Sequence, residues 1–245
     1  MDFPIPIHVI FFIILAIGAV IAVYSHFARK RAMKTFAAQM GMTYSPYDGF
    51  GIQSRVSIFP RFQRGHSHRS YDQVYGRYKG HDCCIFHYSY KTGSGKSQST
   101  HTFSGLFYVA DISLPGLLSV RPEGMFDKMM EVVGFDDIDF EYNEFNKKYY
   151  VKSNNKRMAY DFFGRSMMDY FLMLPRQICM EGQGPYFIFH YDGSLKPEFY
   201  ARMMDTAASM FTRLDPVARE KFAMSPTAQA HFSGESPSSF GFFGK

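Results

Sequence analysis

Between Ile5 and Tyr24 the chain reads IPIHVIFFIILAIGAVIAVY, a run without a formally charged residue and with only Pro6 and His8 as interruptions. A helix needs about 20 apolar residues to cross ~30 Å of hydrocarbon, and this run supplies that length. Charge flanks it unevenly: Asp2 precedes it, whereas Arg29, Lys30, Arg31 and Lys34 come after it. A cleaved secretory signal carries its positive charge ahead of the apolar core, so the pattern is that of an anchor. Positive flanks are retained on the cytoplasmic side. The expected layout is therefore a short outer N-terminus at 1–4, a transmembrane helix at 5–24, and a cytoplasmic remainder. Ser25 to Met40 continues as a basic juxtamembrane helix resting on anionic headgroups, and Gly41 is its natural stop.

The cytoplasmic remainder must form a core. Of the 245 residues 46% are apolar and 18% aromatic, enough for one domain of ordinary size. Three cysteines, two of them adjacent as Cys83 and Cys84, cannot build a disulfide framework and suit a reducing compartment. The net charge of +5 is too mild to imply nucleic acid.

After Gly41 the chain changes to strand-like segments punctuated by turns. Residues 72–79 and 83–91 read as strands; in the second, Cys84, Phe86, Tyr88 and Tyr90 share one face, opposite Ile85, His87 and Ser89. A polar loop leads to a central strand at 101–112, apolar on both faces. Pro122 and Glu123 open a helix expected to end at Val133. Residues 148–152 read as a strand, and Asn154 or Asn155 caps a helix running to Pro175. A hairpin is expected for 177–182 and 185–191 across Gly184, then a helix from Pro197 to Leu214. The predicted class is α+β: a single N-terminal transmembrane helix, then an antiparallel-sheet domain with packed helices over 42–214, ending β-α-β-β-α. Residues 215–245 read as a flexible tail.

The segments YSYKTGSGKSQSTHTFSGLFYVADI and DIDFEYNEFNKKYYVKS, with a helix ending in FLMLP, carry a resemblance. Together with the anchor and its basic flank, they are similar to an uncharacterised family of bacterial membrane-anchored proteins with a cytoplasmic domain of unknown function. The resemblance covers about residues 26–214. It implies a bacterial inner-membrane setting and an α+β cytoplasmic domain, and it implies no site residues.

Four constellations invite chemistry. Gly93-Ser94-Gly95-Lys96-Ser97 matches the end of a phosphate-binding loop, but Tyr90 stands where the first glycine is required and a β-like segment succeeds it instead of a helix. Lys96 is kept as an anion contact. The histidines and cysteines lack metal-ligand spacing, and adjacent cysteines on a strand point to opposite faces, so no metal site is assigned. Asp136, Asp137, Asp139, Glu141 and Glu144 lack the glycine and terminal glutamate of a calcium loop, and read as a solvated or protein-facing acidic edge. Between residues 51 and 81 lie Arg55, Arg61, Arg64, Arg69, Arg77 and Lys79 against the single acid Asp72. This run reads either as a solvated loop or as a face for anionic headgroups, with each basic residue contributing about 1 kcal/mol near an anionic leaflet. Phe59, Phe62 and Tyr71 interleave as possible stacking groups, yet nucleic acid is not the expected partner.

No catalytic residue or cofactor is nominated. The anionic contacts assigned are Arg29, Lys30, Arg31, Lys34, Arg61, Arg64, Arg69 and Lys96. The expected function is a non-enzymatic binding or scaffolding module, an accessory subunit with a protein partner in the membrane. The alternative is an anchored sensor or enzyme with an anion-binding pocket.

Overall fold

The computed structural model describes residues 7–123, 135–175, 178–193 and 195–224. The expected outer N-terminus, the body of the helix expected after Pro122 and residues 225–245 lie outside these. The protein is α+β: an apolar N-terminal helix, then a seven-stranded antiparallel sheet with packed helices.

Helix α1 runs unbroken from Ile7 to Gln39. At 1.5 Å per residue it is about 50 Å long, more than a bilayer's hydrocarbon thickness. Among the described residues it is the one helix long and apolar enough to cross a membrane. Its first part exposes Phe11, Phe12, Ile13, Ile14 and Leu15. Its second part is core: Met33, Phe36 and Ala37 are buried against the sheet and Tyr200. The expected transmembrane and juxtamembrane helices are thus one rod. Gly41 stops it at φ 65°, where a left-handed residue is needed.

The sheet comprises β1 (Thr43–Ser45), β2 (His66–Tyr78), β3 (His81–Thr92), β4 (Ser99–Pro122), β5 (Asp136–Asp137), β6 (Tyr149–Ser153) and β7 (Cys179–Asp192). Their order is β1-β2-β3-β4-β6-β5, and β7 pairs along β4. Helices α2 (Ile52–Arg55), α3 (Asn143–Asn146), α4 (Lys156–Phe162), α5 (Arg165–Met173), α6 (Pro197–Phe211) and α7 (Pro216–Lys221) complete the domain. Period-two alternation sorts the side chains into two cores. Cys83, Ile85, Leu106 and Tyr108 face α1 and α3–α7, while Cys84, Phe86, Tyr88 and Tyr90 face the segment from Phe50 to Phe62. All three thiols are buried and none forms a disulfide.

Three expectations need correction. The hairpin expected across Gly184 is one strand, β7: Gly184, at φ 58°, sits opposite Leu114 and makes an irregularity in the β4–β7 ladder. A left-handed glycine serves a bulge as well as a turn. The helix expected from Asn155 to Pro175 is two, α4 and α5, separated at Gly164; Asn155 does cap the first, its side chain accepting from the Met158 N–H at 3.1 Å. The tail does not begin at 215. Asp215 caps α7, buried Phe222 accepts from the Ser113 N–H at 2.8 Å, and Ala223 bridges to Ile112.

Candidate functional site

The direction of α1 fixes which end of the sheet lies nearest its apolar half. Arg29 reaches Asp72 at 3.1 Å. Further along the chain Met42 packs beside Gly76, and Thr43 pairs with Tyr75. Helix and strand therefore advance together, and the early end of β2 points back toward the apolar part of α1. In register with Tyr71 run His87, Ser104 and Tyr191. Beyond that row, toward the apolar half of α1, lie Arg64, His66, Arg69, Lys91, the loop holding Lys96, Thr100, His101 and Asp192.

A buried network ties this end to α1. Asp72 is 1% exposed and takes the Arg29 guanidinium on one oxygen and the Tyr44 hydroxyl, at 2.8 Å, on the other. Its φ of 48° marks an irregularity in β2 that turns the carboxylate toward α1. Next to it His87 stacks on Tyr71 at 5.5 Å and meets the Tyr200 hydroxyl at 3.0 Å. Burial, aided by the Arg29 charge, pushes the His87 pKa down to about 4, so the imidazole is neutral at physiological pH.

The basic run does not form one face. Arg55 donates to the Phe50 carbonyl and lies over its ring at 4.6 Å. Arg77 pairs with Asp82, and Lys79 with Asp205, at the opposite end of the sheet. Arg61 is buried, although a headgroup contact is expected of it. The neighbouring Phe59 and Phe62 draw its turn into the aromatic core, where its guanidinium binds Asp192 at 2.7 Å and covers the Phe103 ring at 4.8 Å. Arg69 remains exposed over Tyr71, and Lys96 is exposed in the β3–β4 loop. Arg31 and Lys34 are exposed on α1, with Lys30 half-buried. The β4 strand after Lys96 supplies no helix N-terminus for a phosphate-binding loop.

A cleft of about 510 Å³ opens at this end of the sheet, lined among others by Arg61, Arg64, Arg121, Thr102, Cys179 and Asp192. The strongly coiled β4–β7 ribbon brings the far end of β4 here. Beneath the cleft, Arg121 lies 3.8 Å from Glu181, which lies 3.9 Å from His190; all three are buried. Sequence spacing holds no hint of Arg121 or Glu181, because the curl that assembles them is a tertiary feature. The Cys179 thiol here is pushed up to about 12 by burial, which keeps it protonated at physiological pH. Among the described residues no three His, Cys, Asp or Glu side chains group as a metal site. Asp136 and Asp137 of the acidic stretch face Lys156 and Lys152 at 3.5 and 3.1 Å.

No family model and no curated protein matches the chain. A solved structure does: the crystal structure of the mycobacterial trehalose monomycolate transport factor A, TtfA, is similar with a TM-score of 0.55 at 13% identity, over 76% of this chain and 96% of that one. At that identity the likeness speaks for the fold.

Proposed function

We propose that the chain is a single-pass inner-membrane protein, N-terminus outside, whose cytoplasmic domain is a binding module serving as an accessory subunit of a membrane transport assembly. The observation that carries it is the construction of α1, whose second half is core to the domain. A domain built onto its own anchor is held at the bilayer in a fixed attitude, which suits a scaffold better than a freely diffusing enzyme. The fold shared with a protein described as a transport factor supports the same reading. Lys30, Arg31, Lys34, Arg69 and Lys96 face the anionic leaflet in this reading, each adding about 1 kcal/mol.

Affinity purification of the full chain from native membranes in mild detergent tests it. Stoichiometric co-purification of an integral membrane protein, lost when α1 is exchanged for an unrelated transmembrane helix, is the expected result. Recovery of the chain alone, after crosslinking in intact membranes, would count against the accessory role.

A further inference from the structure

The cluster beneath the anchor-proximal cleft is a costly thing to bury. Well-packed apolar residues in place of an internal ion pair are often neutral or stabilising, so stability alone does not account for Arg121 at 6% and Glu181 at 1% exposure beside an open cleft. A ligand does. We propose that the cleft binds a phosphate ester, with Arg61, Arg64 and Arg121 as the partners of the anion.

Charge points this way. Among the described residues, three guanidinium groups border or underlie the cleft against two carboxylates, Asp192 and Glu181. The neighbouring His190 adds none, since burial and the charges of Arg61 and Arg121 keep its pKa well below the ordinary range. The surplus is positive. Shape points the same way: a guanidinium presents a planar fork of donors that matches phosphate oxygens. Tyr90, Thr100 and Thr102 line the same space. Two of the arginines are held in place beforehand, Arg61 by Asp192 and the Phe103 ring, Arg121 by Glu181. Such preorganisation lowers the ordering cost of binding. The volume of about 510 Å³ falls in the range of small-molecule sites and leaves room for a substituent on the phosphate.

The cleft's position at the end of the sheet nearest the anchor makes a phospholipid headgroup one source of the ester. A soluble phosphate ester presents the same chemistry. The inference does not rest on the transport reading, and its test is independent of any protein partner.

Full-length protein in neutral-detergent micelles would be titrated with glycerol 3-phosphate by isothermal calorimetry. Binding in about the micromolar to millimolar range is expected. Arg121→Gln endangers the fold by taking a buried partner from Glu181, so the half-exposed Arg64 is the residue to change. Arg64→Gln should weaken binding about tenfold or more, as loss of a charged hydrogen-bond partner does. Arg157→Gln, exposed on α4 away from the cleft, should bind as wild type does. The titration is then repeated in nanodiscs of phosphatidylcholine and of phosphatidylglycerol. If the natural occupant is a headgroup, phosphatidylglycerol competes and glycerol 3-phosphate binding drops; if it is soluble, the two nanodiscs give equal affinity. Absence of binding up to about 10 mM, or an Arg64→Gln protein as tight as wild type, would overturn the proposal.

Discussion

Asp72 is the only acid between residues 51 and 81, and its two oxygens hold Arg29 of α1 and Tyr44 of β1. Removing the carboxylate strands a partly buried guanidinium, so Asp72→Ala should lower the unfolding free energy by about 3 kcal/mol in a urea titration. Asp72→Asn should cost less, because asparagine keeps a hydrogen-bonding side chain and tolerates the left-handed backbone there. His87 makes a prediction about pH. Its folded pKa of about 4 lies below the ~6.5 of an unfolded histidine. The unfolded chain therefore takes up the proton first as pH falls. Stability is full above pH ~6.5 and should decline by about 3 kcal/mol on the way to pH 4. That decline is the share of His87 alone, and His87→Gln should remove it while leaving the further decline that His190, whose shift has the same sign, adds. At this scale alternation made the two faces of β3 legible, but not Arg61: a charge between two phenylalanines reads equally as solvent or core until the turn is seen.

The elements were legible in kind more than in extent. A long apolar stretch of clear period announces a helix whatever surrounds it, and α1, β3 and α6 stand where their residue patterns place them. The β4–β7 ribbon was harder, since a glycine at positive φ marks a turn and a bulge alike, and only long-range pairing separates them. The cleft inherits that difficulty, because the coil that joins Arg121 to Arg61 leaves no local trace. For α1, the division between apolar exposed and core-facing halves is testable. Met33→Ala and Phe36→Ala should each destabilise the domain by about 2 to 5 kcal/mol, whereas Phe12→Ala, exposed in the apolar half, should leave its denaturation midpoint unchanged. A fragment beginning at residue 25 keeps this packing and should fold, while one beginning at residue 42 should aggregate. In the centre of the sheet, a Cβ on Gly105 would meet the Phe86 ring at 2.5 Å. Gly105→Ala should therefore cost about 1 to 3 kcal/mol through overpacking, read as a lowered Tm.

At the scale of the whole molecule, the proposed orientation rests on the basic flank and no longer on the cysteines. Cys83 and Cys84 lie on opposite faces of β3 and all three thiols are buried, so burial would keep them out of disulfides in either compartment. A reporter fused to the C-terminus should be active only in its cytoplasmic form. Exchanging Lys30, Arg31 and Lys34 for Glu should weaken that preference, and Arg29 should be spared in such a test because it also holds Asp72. Because α1 is unbroken and no joint separates its apolar half from the domain, the two share a single rotational phase. Each alanine inserted between Tyr24 and Ser25 would turn the apolar faces by about 100° against the domain. Any process that needs a neighbour docked on both should then rise and fall with insertion length, recovering near one full turn of about 3.6 residues, and a flexible Gly-Gly pair at the same place should abolish that rhythm.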